Sequence, residues 1–337
     1  MGVGGIIAGW LADRMGRAKV TALSLVLFSI TTGLIALTNS YWQFATLRFI
    51  SGLGLAAVYI VANMLAAEYV PTHRRTTVLG TLQAGWSVGY VIAALLSSWI
   101  LPNYGWRPLF AVAIIPAIFG IWMLRGLSEP PSWVSSRASA SMWSDKTTRV
   151  TFIFWAVTAT ALQFGYYGAN TWLPSYIVKD LNIDLKSMGW YVVGTYSAMI
   201  LGKVVVGWLG DIFGRRIMFT FAGVATALAL PLVVKYANPG NVAFLLIVFG
   251  LLHAGPYAIN ATYMSESFPT SVRGTAVGTA YNIGRVGRIA APVFIGLVAT
   301  RHSIGLRIAL LGIAYALAGL VPGMFIREKM YDPKTSS

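Results

Sequence analysis

Residues 9–17 read Gly9-Trp10-Leu11-Ala12-Asp13-Arg14-Met15-Gly16-Arg17, and residues 207–215 read Gly207-Trp208-Leu209-Gly210-Asp211-Ile212-Phe213-Gly214-Arg215. Six of the nine positions are identical at an offset of 198. A second pair of segments keeps that offset: Glu68, Pro71, Thr72, Arg75 and Gly80 against Glu266, Pro269, Thr270, Arg273 and Gly278. Two unlinked stretches sharing one offset point to two halves of the same fold, each a parallel repeat of the other. The repeat also sets a length. The second half starts near residue 150, so its counterpart would start about 48 residues before Met1. The expectation is a first half that lacks its first helix and part of its second. An upstream reading frame with no apolar span would contradict it.

The surrounding composition says where such halves sit. Of 337 residues, 57% are hydrophobic and only 10% charged, with a mean hydropathy of +0.69. Soluble domains carry about 25% charged residues, so a soluble enzyme is excluded, and the chain is too apolar to be disordered. A bilayer core needs about 20 mainly apolar residues per helix. Such stretches recur at 18–38, 42–67, 76–100, 106–126, 150–178, 188–210, 216–236, 241–267, 274–300 and 304–326, with the end of another at 1–12. That predicts ten full helices and one stub, and all-α structure, because lipid-exposed backbone must satisfy its own hydrogen bonds.

The loops alternate in charge. Fifteen of the 25 Lys and Arg fall on one side, among them Arg14, Arg17, Arg75, Arg137, Arg215, Arg273, Lys329 and Lys334. Six fall on the other, among them Lys186 and Arg301. The positive-inside rule places the first set and the C-terminus in the cytosol. The expected organisation is an incomplete transmembrane half at 1–126, a cytosolic linker at 127–149, a second half at 150–326 and a cytosolic tail at 327–337. The expected location is the cytoplasmic (inner) membrane, crossed many times.

Several chemistries drop out. With no Cys there is no disulfide framework or thiolate metal site. His73, His253 and His302 are far apart, so no metal site and no cofactor is expected. The formal charge of +15 could mean nucleic-acid binding, but no basic stretch is interleaved with polar, base-reading residues. Residues 1–12 lack the basic flank and cleavage site of a signal peptide. Gly85-Trp86-Ser87-Val88-Gly89 matches a nucleophile elbow, but inside an apolar helix it reads as small-residue helix packing. Gly52-Leu53-Gly54-Leu55-Ala56-Ala57 mimics a dinucleotide loop without its strand or its acid, and its glycines read as allowing close helix approach.

Charge inside a span is costly and functional by default. Away from the span ends, four cations fall within spans, Arg48, Lys203, Arg285 and Arg288, and the acids all lie in loops or at helix ends. A net positive interior favours an anionic substrate, whose carboxylate Arg can grip through two parallel bonds. Arg285 and Arg288 are three apart and share a helix face. Lys203 could instead neutralise Asp211, two turns on. The candidate substrate-binding residues are Arg285, Arg48, Arg288, Gln163, Asn170 and Trp172. Gln163 and Asn170 are seven apart, again on one face. Further polar or aromatic cavity candidates are Asn63, Gln83, Trp86, Tyr167, Tyr257, Asn260, Tyr281 and Asn282.

The paired Gly-x-Leu-Ala/Gly-Asp loop resembles the hallmark of the major facilitator superfamily. Arg48-Phe-Ile-Ser-Gly52-Leu-Gly54-Leu-Ala56 is similar to its fourth-helix motif. Gly105-Trp106-Arg107 and Ser128-Glu129-Pro130-Pro131-Ser132-Trp133 are similar to the sixth-helix borders of metabolite and sugar porters. Thr171-Trp172-Leu173-Pro174-Ser175-Tyr176 and Gly284-Arg285-Val286-Gly287 look most like the aromatic-acid and sialate/lactate groups of metabolite:proton symporters. The resemblance covers the whole chain.

It implies two six-helix halves rocking around a midplane site, and no enzyme activity. It makes the loop residues Asp13, Arg14, Gly16, Arg17, Asp211, Gly214 and Arg215, with Glu68, Arg75, Glu266 and Arg273, a latch for the outward-facing state. The aspartates could pair with nearby Arg or cap the next helix. Sialate-type relatives carry an acid just before the Tyr that matches Tyr59; here that residue is Val58, so proton coupling rests on the resemblance, with His253 as a titratable alternative. The expected function is secondary active transport of a small organic anion, aromatic or another carboxylate, with proton-coupled uptake by a monomer. The alternatives are an uncoupled exchanger, an efflux porter, or a non-transporting remnant or receptor.

Overall fold

The computed structural model describes residues 2–129, 145–269, 272–298 and 304–328. Met1, Arg137, Thr270, Arg301, Lys329, Lys334, the tail beyond 328 and the Pro130–Trp133 part of the sixth-helix motif lie outside the described residues, as does most of the expected linker. Every described regular element is helical.

A first group runs α1 (Gly2–Met15), α2 (Arg17–Leu34), α3 (Tyr41–Tyr69), α4 (Arg75–Tyr104), α5 (Trp106–Ala111) and α6 (Pro116–Gly126). A second runs α7 (Lys146–Lys179), α8 (Leu185–Phe213), α9 (Arg215–Tyr236), α10 (Val242–His253), α11 (Gly255–Glu266), α12 (Arg273–Ile283), α13 (Arg285–Val298) and α14 (Ile304–Phe325). The turn from α1 to α2 pivots on Gly16 at φ 105°, and the turn from α8 to α9 on Gly214 at φ 95°. Both angles favour glycine, which explains why the motif repeats it. Helix α7 begins at Lys146 because Asp145 caps it, accepting from the Thr147 and Thr148 backbone N–H groups at 3.3 and 2.8 Å.

Among the described residues, eight helical stretches are long and apolar enough to cross a membrane. They match eight of the ten expected spans; α5 with α6, and α10 with α11, each form one of them. The spans expected at 150–178 and 274–300 are α7 and the pair α12–α13. The first carries polar Gln163 and Asn170. The second is interrupted at Gly284 and carries Arg285 and Arg288. Large apolar side chains line the outside, including Trp42, Trp122, Leu201, Phe221 and Phe244. So much exposed apolar surface suits lipid and not water.

Within the first group α2 packs on α3 and α6; within the second α14 packs on α7 and α9, and α8 on α10. The two groups meet along two main seams, α4 against α8 and α1 against α12. Each seam is closed by a pair of glycines, and the two pairs are counterparts of each other at the 198 offset. A Cβ on Gly207 would sit 2.8 Å from the Thr76 carbonyl oxygen and 3.4 Å from the Gly80 Cα. A Cβ on Gly9 would sit 2.4 Å from the Gly274 carbonyl oxygen and 3.6 Å from the Gly278 Cα. Gly54 likewise approaches the backbone of α2 at Ser24 and Phe28. Gly85 and Gly89 do not fit that reading: a Cβ on either would meet open space. Their pattern is not helix packing, because that face of α4 has no neighbour at those two positions.

Gly207→Val should therefore lower the melting temperature of the purified protein in detergent, as overpacking costs about 1–3 kcal/mol. Gly85→Ala should leave it unchanged. Equal effects would mean that the seams tolerate separation.

Candidate functional site

The repeated loop residues converge at the end of the bundle where α1, α3, α8 and α11 finish. Asp13 accepts from the Gly274 and Thr275 backbone N–H groups at 3.2 and 2.9 Å, and from the Thr275 hydroxyl at 2.9 Å. Asp211 does the same at Thr76 and Thr77, at 2.9 and 2.7 Å, with the Thr77 hydroxyl at 2.6 Å. Each carboxylate thus caps the first turn of α12 or α4, where orphan N–H groups and the helix dipole favour an anion. The capped helix is not the next in sequence, as the sequence reading allowed, but one across a seam, in the other group.

Four buried arginines surround two buried glutamates. Glu68 takes Arg17 at 3.1 Å and Arg273 at 3.2 Å. Glu266 takes Arg215 at 3.3 Å and Arg75 at 2.5 Å. Arg17 and Arg215 also approach the aspartates of their own motifs, at 3.7 and 3.5 Å. Arg273 to Glu68 and Arg75 to Glu266 cross between the groups. Two further carboxylates cover the starts of α2 and α9: Glu129 accepts from the Ala18 and Lys19 N–H groups, and Glu328 from that of Arg215. Arg14 stands apart, exposed with its guanidinium 4.0 Å over the Trp10 ring.

Deeper in the bundle lies a narrow cavity. Leu55 and Tyr59 of α3 and Gln83 and Trp86 of α4 form one wall. Gln163, Tyr166 and Tyr167 of α7, Lys203 of α8, Tyr257 of α11, Tyr281 of α12, and Arg285 and Arg288 of α13 form the other. Tyr59 and Tyr281 stack across the groups at 5.0 Å. Gln83 donates to the Tyr59 hydroxyl and to the Asn63 side-chain oxygen, at 3.1 and 3.2 Å. Gln163 donates to the Tyr281 carbonyl at 2.9 Å, fixing α7 beside the Gly284 break.

Three cations face this space, and no lining residue is acidic. Arg288 lies 4.1 Å over the Tyr167 ring. Arg285 keeps a buried Nη1 without a hydrogen-bond partner. Lys203 is 2% exposed and donates to the Gln83 carbonyl and the Ser87 hydroxyl, at 2.9 and 3.2 Å. It does not neutralise Asp211, which is spent on the α4 cap. Ser87 is buried mid-helix, so no nucleophile elbow exists here.

Of the six expected substrate residues, Arg285, Arg288 and Gln163 line the cavity, and the other three do not. Arg48 is exposed, with its guanidinium 5.9 Å from the Phe110 ring. Trp172 donates to the Pro292 carbonyl at 3.3 Å, joining α7 to α13. Asn170 sits a turn beyond the cavity on α7. Tyr59 and Tyr166 escaped the sequence reading as cavity residues. Tyr166 is three positions after Gln163, and that spacing was its available signal. His253 is fully buried within the second group, stacked on Tyr166 at 4.7 Å and hydrogen-bonded to the Tyr315 hydroxyl at 2.7 Å.

The chain is similar to known transporters along its length. The family model described as Major Facilitator Superfamily matches residues 1–185 and 156–337. A cis,cis-muconate transport protein of Acinetobacter baylyi is 50% identical over all of this chain and 84% of its own length. A gentisate transporter of Corynebacterium glutamicum is 27% identical over 98% of this chain and 78% of its own. The proton:xylose symporter XylE, a solved structure, superposes with a TM-score of 0.77 at 18% identity, over 98% of this chain and 85% of that one. That last likeness is one of fold.

Breaking a buried ion pair by removing one partner costs about 3–5 kcal/mol. Glu68→Gln leaves Arg17 and Arg273 facing an amide. Because the chain has no native Cys, a Thr76→Cys probe at a fully buried position reports opening of this end. Maleimide labelling of the probe should accelerate at least tenfold in the Glu68→Gln background. An unchanged rate would show that the ion pairs do not hold the end shut.

Proposed function

The chain belongs to the major facilitator superfamily and is a membrane transporter of small organic anions, not an enzyme, and we propose that it imports carboxylates together with protons. The observation that carries the substrate assignment is Arg285. A guanidinium with an unsatisfied buried N–H lines a cavity whose walls hold two more cations and no acid. Such a site is electrostatically incomplete until an anion enters. Arg285 and Arg288, three apart on α13, take a carboxylate, and the tyrosine rings of α3, α7, α11 and α12 flank its carbon skeleton. A relative named for cis,cis-muconate and another named for gentisate support substrates of this kind.

The proposed cycle is alternating access. Residues 1–126 and 150–326 act as two bodies joined by the 127–149 linker, in a monomer of the bacterial inner membrane. The basic end and the C-terminus are cytosolic, following the positive-inside rule. With that end closed by the Asp13, Asp211, Glu68 and Glu266 contacts, the described conformation is the one that loads from outside. Opening inward requires those caps and ion pairs to part together.

Proton coupling is supported by energetics and by the resemblance. Moving one negative charge into a negative-inside cell costs about 2.3 kcal/mol per 100 mV. Co-transported protons remove that cost.

Proteoliposomes should take up labelled cis,cis-muconate, faster when the outside is acidic. Arg285→Gln should raise KM on the order of 100-fold, the effect of truncating one partner of a buried charge pair. Uptake indifferent to the pH gradient would retain transport and remove proton coupling. Absence of uptake of every small carboxylate would remove the substrate assignment.

A further inference from the structure

We infer that Lys203 is a second anion site in the same cavity, and that it selects substrates bearing a carboxylate at each end over those bearing one. The inference rests on the carboxylate-transport reading above and names its substrate class more closely.

Lys203 and Arg285 lie at similar depth. Lys203 is ten positions before the end of α8 at Phe213, about 15 Å at 1.5 Å per residue. Arg285 is twelve positions after the start of α12 at Arg273, about 18 Å from the same end. They stand on the same wall of the cavity but on different elements. Lys203 projects from the α4–α8 seam, since its bonds run to Gln83 and Ser87 of α4. Arg285 follows α12, which forms the seam with α1. Both line one cavity. A single carboxylate held by the Arg285–Arg288 pair leaves Lys203 on its neutral partners, the Gln83 carbonyl and the Ser87 hydroxyl.

The bonding of Lys203 leaves room for a ligand. An ammonium has three donors. Two go to neutral acceptors, a backbone carbonyl and a hydroxyl, and no acid side chain lies among the lining residues. Neutral acceptors do not compensate a charge that is 2% exposed. A second carboxylate does, and it supplies the ionised acceptor that makes the stronger bond. Three lining cations also favour a dianion over a monoanion by simple charge balance. A purely structural lysine, tying α8 to α4, would act alike on all substrates. A carboxylate-binding lysine acts only on those with a second head.

The test pairs two ligands on one carbon skeleton: cis,cis-muconate, with two carboxylates, and hexa-2,4-dienoate, with one. Dissociation constants are measured on the purified full chain. The wild type should prefer the dicarboxylate by tenfold or more. Lys203→Gln should weaken dicarboxylate binding about tenfold, leave the monocarboxylate within twofold, and so erase the preference. Arg285→Gln should weaken both. Lys203→Arg keeps the charge and should keep the preference, which decides the matter if Lys203→Gln does not fold; a preference lost in Lys203→Arg overturns the inference. Equal binding of the two ligands to the wild type, or equal loss of both in Lys203→Gln, also overturns it and leaves the transport reading standing. Binding of neither ligand to the wild type overturns both.

Discussion

A cation removed from water must find an anion, and that constraint divides this molecule into two regions. At one end Arg17, Arg75, Arg215 and Arg273 are buried and each meets a glutamate. In the cavity Arg285, Arg288 and Lys203 meet no acid among the lining residues. The first arrangement is self-sufficient and holds the groups together. On the proposed reading the second is completed by a ligand. An acid placed beside Arg285 would relieve its desolvation and would also occupy the position a substrate needs. The described acids sit in loops or at helix ends, away from the cavity lining, which on the proposed reading leaves that position to the substrate.

The repeat explains how few residues are needed to close the end. Each motif aspartate caps a helix across a seam while pairing with the arginine of its own motif, so one short sequence written twice makes two caps. The same holds for the glycines. Gly9 approaches Gly278, and their counterparts Gly207 and Gly80 approach each other, so the close contact and the cap lie together on each seam. A cap needs the two helices near enough for a carboxylate to reach backbone N–H groups. A Cβ at the glycines would hold them apart. Charge and close packing thus depend on each other.

The sequence made the helical architecture legible because the apolar runs are long and the offset of 198 is strict. It made the closed end legible because Asp13, Glu68, Arg75 and Arg273 recur with their counterparts. What it left open was reach. Asp13 and its capped helix are 261 positions apart at Gly274, and no local pattern indicates which N-terminus a carboxylate will find. The cavity was legible by halves. Arg285, Arg288 and Gln163 followed from charge in a span and from helical spacing. Arg48 and Trp172 satisfied the same rules and do not line it, because residue type and period fix a face of a helix but not which neighbour that face meets. Tyr59 and Tyr166 were hidden for the opposite reason: a tyrosine in an apolar span looks like packing until its neighbours are known.

The two regions are linked by single pieces of backbone. Helix α8 carries Lys203 in the cavity and Asp211 at the closed end. The α12–α13 pair carries Arg273 and the Asp13-capped turn at the closed end, and Arg285 and Arg288 in the cavity. Gly284 divides that pair where it presses on α7: a Cβ there would lie 2.7 Å from both the Ala159 backbone and the Gln163 amide. Gln163 in turn holds the Tyr281 carbonyl just before the break. A helix is stiff along its axis, so on the proposed reading displacement of a cavity cation reaches the cap on the same element, about two turns away on α8 and about three on α12–α13. On the proposed reading, α8 and the α12–α13 pair are elements through which a ligand's differential contacts reach the closed end, one on each seam. Each bears one end of the chemistry and one end of the closure.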